Sequence, residues 1–410
     1  MAALEELDRA SLNGARPGAT CDSFDGLTPR MVVTPQDTAE VAAVLRVAAP
    51  HGLSIVARGA GTKLDWGNPP ASADLLLDLS LMAGVTEHVS DDLVARVRAG
   101  TTLENLSKVL ALKGQRFPVD EVVPGSTVGG VVATGLSGPS RYTHGAVRDL
   151  VLGITMVRAD GVVARAGSKV VKNVAGYDLP KLLSGSYGTL GILTELIVKL
   201  KPMPSAQRFI VAPLPTTHDL AASLSALLVS QAALTAVELE RRLPNGPVQL
   251  SVLVEGRPRP VDERAAEIAA LLGNCEVSTS PPANWGRLPG EVTLKLTAVL
   301  SAVAELVECS SELAEKHGLA ANLSGSAGCG VFFMGLEGTL PAAPIAALLA
   351  DLRQACHRFG GHATVLRAPA PLKSSLDIWG PIPGLGLMRN VKQNFDPGQK
   401  LAPGRFVGGI

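Results

Sequence analysis

Arg58-Gly59-Ala60-Gly61-Thr62-Lys63 directly follows a short apolar run at residues 53–57. Two glycines separated by one alanine let the backbone take positive φ angles and turn its amides inward, so the loop can surround an anion. Residues 64–70 contain a glycine and two prolines, which prevent a helix from starting there. The stretch therefore differs from the Walker and dinucleotide-fold loops, which are followed at once by a helix. It predicts a diphosphate-binding loop that uses its amides, Thr62 and the charge of Arg58 or Lys63, with an ordinary tight turn as the alternative.

A second unusual stretch, Pro124-Gly125-Ser126-Thr127-Val128-Gly129-Gly130, contains almost no bulky side chains. The small residues indicate a segment that a ligand approaches closely. Two closely crossing helices would need the same small residues, and both interpretations remain open here.

A third stretch, Gly185-Ser186-Tyr187-Gly188-Thr189-Leu190-Gly191-Ile192, has glycines three residues apart in front of an apolar run. Such spacing allows the backbone to press against a flat partner before a strand begins. Three glycine-dense stretches in one half of a chain are harder to explain by turns alone.

Composition limits the possible functions of the 410-residue chain. Lys and Arg balance Asp and Glu at 37 each, which gives no support for a nucleic-acid partner. No apolar run reaches the roughly 18 residues of a membrane span, and the amino end has no signal-peptide pattern, so a cytoplasmic location is expected. Five cysteines are scattered singly, which predicts free thiols, no iron-sulfur cluster and no metal site in this chain.

The apolar periodicity predicts an α+β protein. An early helix is expected to begin at Thr34 as its cap, and a second one at Thr101 or Thr102. After Pro202-Met203-Pro204 the pattern changes to alternating helices and strands, among them helices near residues 220–228 and 261–272 and strands near 248–254 and 331–336. This change predicts a separate α+β cap domain.

Together the three stretches resemble the FAD-binding domain of the vanillyl-alcohol oxidase (PCMH) type of flavoproteins. Further matching residues are Gly145, Arg148 and Asp149, the run Gly176-Tyr177-Asp178-Leu179, and Asn394-Phe395-Asp396-Pro397-Gly398 near the end. Within that family the chain looks most similar to the second FAD-binding subunit of bacterial glycolate oxidase complexes. The resemblance implies a two-subdomain FAD-binding domain at residues 1–204, a smaller α+β cap at 205–375, and a segment at 376–410 that returns to the first domain.

The resemblance also implies roles for individual residues. The first loop would hold the FAD diphosphate, the second stretch would pass along the diphosphate and the isoalloxazine edge, and the third would line the ribose and adenine. Arg148 and Asp149 would form a structural ion pair. The expected cofactor-binding residues are Arg58, Gly59, Ala60, Gly61, Thr62, Lys63, Pro124, Gly125, Ser126, Thr127, Gly129, Gly130, Gly188, Thr189, Gly191 and Ile192.

The FAD is expected to be noncovalent, because residues 58–68 and 125–138 contain no histidine or cysteine that could tether it. Weak catalytic candidates are His144 and Tyr177 as bases and Arg367 as a contact for a carboxylate. His357 and His362 are expected to be ordinary histidines and not metal ligands.

The leading hypothesis is a subunit that takes part in oxidising glycolate or a related small 2-hydroxy acid. Its implied partners are a sister FAD-binding catalytic subunit and an iron-sulfur subunit, through which it could dock peripherally at the inner face of a membrane. One alternative is a self-sufficient FAD-dependent dehydrogenase or oxidase. The other is an assembly subunit whose flavin site is degenerate.

Overall fold

The computed structural model describes residues 2–169, 177–338 and 340–410, which form two compact units. Unit 1 contains Met1–Ser137, Gly145–Met203 and Pro381–Ile410, and unit 2 contains Gly138–His144 and Pro204–Gly380. The sequence-based division leaves residues 138–144 in the first domain, whereas the structure places them in unit 2.

The first half of the chain forms, in order, α1 (Ala2–Ala10), β1 (Ala15–Pro17), β2 (Met31–Val33), α2 (Thr38–Ala48), β3 (Ile55–Arg58), β4 (Leu75–Asp78), β5 (Val85–Val89), β6 (Val94–Arg98), α3 (Leu103–Ala111), β7 (Gln115–Arg116), α4 (Val128–Thr134), α5 (Arg141–His144), β8 (Val151–Val157), β9 (Val163–Gly167), α6 (Leu179–Leu183), β10 (Ile192–Lys199) and β11 (Lys201–Pro202). The second half forms β12 (Ala206–Leu214), α7 (Thr217–Val229), β13 (Ala236–Leu243), β14 (Val248–Gly256), α8 (Pro258–Leu272), β15 (Glu276–Ser278), β16 (Val292–Thr297), α9 (Val303–Lys316), β17 (Ala321–Ser326), β18 (Val331–Leu336), α10 (Ala342–Arg358), β19 (Ala363–Arg367), α11 (Ala370–Lys373) and α12 (Leu385–Phe395).

Unit 1 contains a small sheet with the strand order β1-β2-β4-β3, in which β4 runs parallel to both β2 and β3. The apolar side of α2, including Val41 and Leu45, is buried together with Leu75 and Leu77 of β4. β3 is the edge strand beside β4, with Ile55 buried in the same core and bridged to Leu401 on its other side, so that the glycine loop starts from a fixed position.

A second sheet of unit 1 is antiparallel and has the order β5-β6-β10-β8-β9. Strands β8 and β10 are almost wholly buried, as expected for apolar runs in the middle of a sheet. Helix α4 is buried with this sheet through Val128, Val131 and Val132. The second glycine-rich stretch is thereby packed against the strand that continues the third one.

Unit 2 is built on an antiparallel sheet in which eight of the described strands follow the order β15-β12-β14-β13-β17-β18-β16-β19. Alternate residues of these strands, such as Leu294 and Leu296 of β16, form one large core with the buried residues of α7 to α10. The intervening residues therefore point to the second face of the sheet.

The chain is thus an α+β protein, as the sequence predicts. The expected cap at Thr102 of α3 is correct, since its hydroxyl accepts the amide of Asn105. The expected cap at Thr34 is wrong: α2 begins after Asp37, whose carboxylate accepts the amide of Glu40 at 2.9 Å. None of the helices in the described ranges is both long and apolar enough to cross a membrane.

Candidate functional site

The glycine loop leaves β3 at Arg58 and crosses the end of the small sheet before β4 begins at Leu75. Gly61 has a φ of +76°, a conformation that is strained for residues with a side chain. The amides of Ala60, Gly61, Thr62 and Lys63 donate no hydrogen bond to any described part of the chain. Backbone donors of this kind need a partner, so four of them side by side are available to an acceptor that is not part of the protein.

A cleft opens beside this loop, within unit 1. All three glycine-rich stretches contribute to its walls, and so does one residue from the end of the chain. The lining residues are Ala57, Arg58, Gly59, Ala60, Gly61, Thr62, Lys63, Leu64, Leu79, Ala99, Thr127, Gly129, Gly130, Ala133, Thr134, Ser186, Tyr187, Gly188, Gly191, Ile192, Leu193 and Arg405.

Lys63 places a buried ammonium group at the loop side of the cleft. Its side chain is 6% exposed, and Nζ donates to the hydroxyl of Ser126 at 2.6 Å and to that of Thr62 at 3.0 Å. No carboxylate of the described chain lies within ion-pair distance of Nζ. Burial lowers the pKa of Lys63 to about 8, and the charge of Glu121 opposes this only in part. The cation is thus held by neutral hydroxyls, and an anion would stabilise it.

Arg58 does not supply a free charge, although the sequence allows it. Its guanidinium donates to Asp78 at 2.6 Å and to Asp22 at 3.2 Å. Asp22 is 2% exposed and also binds Arg16 at 2.6 Å. The two arginines hold the pKa of Asp22 well below its usual range, with the Arg16 hydrogen bond as the largest cause. Arg58 therefore fixes the start of the loop, and of the two candidate cations only Lys63 fits the role of neutralising a ligand.

Arg405 is a second buried cation that lines the cleft. It is 5% exposed and donates to three backbone carbonyls of the segment after the glycine loop, at 2.7 Å to Lys63, 3.1 Å to Leu64 and 3.2 Å to Trp66. Its guanidinium carbon also lies 5.9 Å from the ring centre of Tyr187. Because these carbonyls point to Arg405, the loop before them is held in the conformation that exposes its amides.

Both explanations that the sequence leaves open for the small residues of the second glycine-rich stretch apply: some pack closely against protein, and others lie at the cleft. A Cβ on Gly129 would lie 2.8 Å from the carbonyl oxygen of Ala99, so α4 packs closely against protein at this point. Gly130 faces Lys63, and a Cβ there would lie 3.9 Å from Nζ. Thr127 caps α4 by accepting the amide of Gly130, which fixes the position of both glycines at the cleft.

The third stretch is held in place by the buried pair of Lys392 and Asp396 in and after α12. Lys392 Nζ donates to Asp396 Oδ2 at 2.6 Å, to the Thr189 carbonyl at 2.8 Å and to the Leu401 carbonyl at 2.9 Å. Lys392 is 3% exposed and Asp396 is completely buried. The pair ties the loop that carries Gly188 and Gly191 to the segment that carries Arg405.

Most of the expected cofactor-binding residues meet at the cleft, but four do not line it. Pro124 and Gly125 are exposed. Ser126 is buried and acts through its bond to Lys63. Thr189 is 1% exposed, and its hydroxyl donates to the Ser186 carbonyl, so it shapes its own turn. The expected cofactor-binding residues did not include Arg405 and Tyr187, which line the cleft. The run Pro403-Gly404-Arg405-Phe406 was the signal that could have identified Arg405.

The three weak catalytic candidates do not line the cleft. Tyr177 is 94% exposed, and His144 ends the short helix α5 in unit 2. Arg367 is half-buried in β19 of unit 2 opposite Thr293. Within the described ranges, no group of three or more histidine, cysteine, aspartate or glutamate side chains could hold a metal ion.

The geometry fits a ligand with linked phosphates and an extended apolar part. Four unused amides and Lys63 lie at one side of the cleft, where they can bind phosphate oxygens. Ala57, Leu79, Ala99, Ile192 and Leu193 give the walls an apolar surface for flat rings. A dinucleotide cofactor combines both features.

Comparison with protein families agrees with this geometry. Residues 29–167 match the family model described as FAD binding domain. The chain is 26% identical to glycolate oxidase subunit GlcD of Bacillus subtilis, covering 92% of this chain and 89% of that protein. It is 28% identical to a D-lactate dehydrogenase of Archaeoglobus fulgidus, covering 92% and 91%. Over 154 residues it is 40% identical to glycolate oxidase subunit GlcE of Escherichia coli, covering 37% of this chain and 43% of that protein.

Among solved structures, 4-ethylphenol oxidase from Gulosibacter chungangensis has a similar fold, with a TM-score of 0.72 and 16% identity over 98% of this chain and 96% of that one. This likeness extends over both units, whereas the family model covers part of unit 1 and the short unit 2 segment 138–144. The chain therefore contains an FAD binding domain, its cofactor is FAD, and it is an FAD-dependent oxidoreductase.

Proposed function

We propose that this protein is an FAD-binding subunit of a glycolate oxidase type of complex and takes part in oxidising glycolate or a related small 2-hydroxy acid. The observation that carries the proposal is the cleft, which is lined by the loop with four unused amides and by the unneutralised Lys63. The relatives named as glycolate oxidase subunits and D-lactate dehydrogenase indicate the substrate class.

FAD held here would supply the oxidising chemistry, since it can accept the two electrons and two protons that a 2-hydroxy acid gives up when it becomes a 2-oxo acid, and a partner would provide the next electron acceptor. The residues of this chain hold the cofactor. The amides of residues 60–63 and Lys63 would bind the diphosphate, and the small residues Gly129 and Gly130 would let the cofactor approach α4.

A partner is part of the proposal for two reasons. Two of the relatives are named as subunits, and the second, GlcE, has the highest identity of the three, over 154 residues. All five cysteines are free thiols, so electrons that leave this chain for an iron-sulfur centre need another subunit to provide it. We therefore propose a sister FAD-binding catalytic subunit and an iron-sulfur subunit as partners.

Noncovalent attachment of FAD is also proposed. The residues that line the described cleft include neither histidine nor cysteine, the side chains that form flavin bonds in this family. Acid precipitation of the yellow protein should leave all of the flavin in the supernatant. A yellow pellet would contradict the proposal.

The central experiment compares the chain alone with the complex purified from its own host. We expect both to show the visible absorption of flavin, and anaerobic glycolate or D-lactate to bleach the flavin of the complex but not that of the isolated chain. Proteins that co-purify should include a second flavoprotein and an iron-sulfur protein. A colourless chain whose melting temperature does not respond to added FAD would refute the flavin site.

A self-sufficient D-2-hydroxy-acid dehydrogenase is the second candidate, because the likeness to the D-lactate dehydrogenase extends over nearly the whole of both chains. The same experiment separates the two. If the isolated chain bleaches with substrate and turns over with an artificial electron acceptor, it is the dehydrogenase by itself.

A further inference from the structure

Segment 397–410, which follows α12, is attached to unit 1 beside β3 and beside the stretch that follows the glycine loop. At β3, the amide of Ile55 donates to the carbonyl of Lys400 at 2.8 Å, and the amide of Ala402 donates to the carbonyl of Ile55 at 2.8 Å. Leu401, which lies between these two bonds, is completely buried. The segment thus runs along the outer edge of the small sheet, parallel to β3.

The same segment holds residues 63–71, which begin with the last of the unused loop amides. The backbone carbonyls of residues 403–405 accept the amide of Ala71 at 2.7 Å, the side-chain amide of Asn68 at 3.3 Å and its backbone amide at 3.0 Å. The guanidinium of Arg405 adds its three bonds to carbonyls of this stretch. If segment 397–410 moved away, the glycine loop would lose its support on this side.

Segment 397–410 also helps to cover the loop side of the cleft. Lys63, Tyr187 and Arg405 line the cleft but are only 6%, 9% and 5% exposed. The ring of Phe406 lies 5.6 Å from the ring of Tyr187, so the segment reaches the third glycine-rich stretch as well. An extended dinucleotide with its phosphates in the middle needs wider access to Lys63 than this arrangement gives.

Backbone strain is concentrated in and next to this segment. Gln399 has a φ of +50° and Ala402 a φ of +42°, and Tyr187, which contacts the segment, has a φ of +56°. These are three of the six non-glycine residues with positive φ in the described ranges. Such residues store free energy that their surroundings must offset, and they cluster in segments that act as clamps or switches. The strain therefore favours release of the segment from its closed position.

We propose that segment 397–410 opens to admit FAD and closes on it, so that this movement sets the rates of FAD uptake and release. Opening breaks the bonds to Ile55 and to residues 63–71 but leaves the strand pairs of both unit 1 sheets intact, and so it needs only local unfolding. Bound FAD favours the closed position, because Arg405 and Tyr187 line the cleft. The inference concerns exchange of the cofactor and goes beyond the proposed function.

A reversible cross-link tests the movement directly. A Cβ on Gly404 would lie 3.5 Å from the Cβ of Ala71, within the range of about 3.5–4.5 Å that disulfides require. In the full-length double variant Ala71→Cys/Gly404→Cys, oxidation with glutathione disulfide would join segment 397–410 to the stretch after the glycine loop. Neither residue is among those that line the described cleft.

The measured quantity is the rise of flavin fluorescence when the FAD-loaded double variant is diluted, with thiol titration to show that the bond has formed. Oxidation should slow FAD release by about tenfold or more, and FAD uptake by protein stripped of FAD to the same extent, because a closed segment blocks both. Dithiothreitol should restore both rates. Ala71→Cys alone controls for oxidation of the native cysteines and should show no change. Equal rates in the oxidised and reduced double variant would overturn the proposal.

Gln399→Gly tests the same movement without a cross-link. Glycine adopts a φ of +50° without strain, so the closed position becomes more favourable and FAD release should slow by about two- to fivefold. Ala233→Gly is the matched control, since Ala233 is also exposed, has a φ of +49° and lies in unit 2. Asn68→Ala removes the bond to Gly404 and should speed release by about the same factor. If both variants release FAD at the rate of the control, the proposal is wrong.

Discussion

Lys63→Met should raise the stability of the protein without FAD and weaken the binding of FAD. In the free protein, burial without an anionic partner lowers the pKa of Lys63 from 10.5 to about 8. At about 1.36 kcal/mol for each tenfold change in proton affinity, keeping the ammonium charged at pH 7 costs about 3 kcal/mol. Methionine removes that cost and fills a similar volume, but it also loses the two bonds to Ser126 and Thr62, each worth about 1 kcal/mol.

The net expectation for the FAD-free variant is therefore a gain of about 1 kcal/mol in the free energy of unfolding, or about 2–4 °C in melting temperature. The sign with pH follows from the lowered pKa. Between pH 8 and the ordinary lysine value near 10.5, the unfolded chain binds more protons than the folded one, so the unaltered protein gains stability there. The advantage of Lys63→Met over the unaltered protein should be largest below about pH 8 and should disappear by about pH 10.5.

The Lys63→Met variant should bind FAD more weakly than the unaltered protein does. Removing a buried cation that binds a phosphate oxygen costs about 1.5–3 kcal/mol, so the dissociation constant of FAD should rise by about 10- to 100-fold. The assay is thermal unfolding with and without FAD, together with titration of FAD fluorescence. Lys108→Met, at an exposed lysine of α3, is the control that should change neither quantity. A variant that is less stable without FAD and binds FAD normally would show that Lys63 only holds Ser126, and the charge argument would be refuted.

Three further substitutions test other parts of the site. Gly61→Val should abolish FAD retention, because a β-branched residue is strained by about 1–2 kcal/mol at a φ of +76°; a variant that purifies with normal flavin absorbance would contradict this. Asp22→Asn should lower the free energy of unfolding by about 3 kcal/mol at pH 7 and flatten the acid denaturation curve. The reason is that Asp22, with its pKa held low, gives stability that is lost as pH falls below about 4. Equal curves for both proteins in a pH series would contradict this prediction. Lys392→Met should destabilise unit 1 by about 3 kcal/mol and weaken FAD binding by leaving Asp396 buried without its cation. In denaturant titrations, adding Asp396→Leu should recover part of that loss.

The local features of the fold were predictable where one short stretch of sequence decides the structure. The hydroxyl of Thr102 caps α3 as expected, and β18 has the predicted bounds, because its sequence contains no polar side chain. The cap of α2 was misplaced, because the charged side chain of Asp37 accepts the third amide after it and is a better cap than Thr34.

Strands of unit 2 with one polar face were harder to predict. β13 includes Glu238, Arg241 and Arg242 between its apolar residues, and β12 contains Arg208. These charges hide the alternation, since some of them point to the helices and others to the second face. Arg241, for example, reaches Glu308 of α9 at 3.2 Å. The pattern becomes clear only when the sheet and its helices are known.

The candidate site could be predicted as far as its glycine loops, because the conformations those loops need restrict the residues that can form them. The pairing of the charged residues around the site could not be predicted. Arg58 is neutralised by Asp22 and Asp78, which lie 36 and 20 residues away. Arg405 contacts the carbonyl of Trp66, 339 residues earlier in the chain. Spacing along the sequence contains no information about such pairs.

The discontinuity of unit 1 has a consequence for how the protein is made. Lys392 and Arg405, which hold two walls of the cleft, belong to a segment that follows all of unit 2 in the chain. During synthesis, the glycine loops therefore emerge long before the residues that fix them, and the continuous stretch from 204 to 380 can fold in the meantime. Capture of FAD is then a late step of biogenesis, and a ribosome stalled within unit 2 carries a nascent chain that cannot yet retain the cofactor.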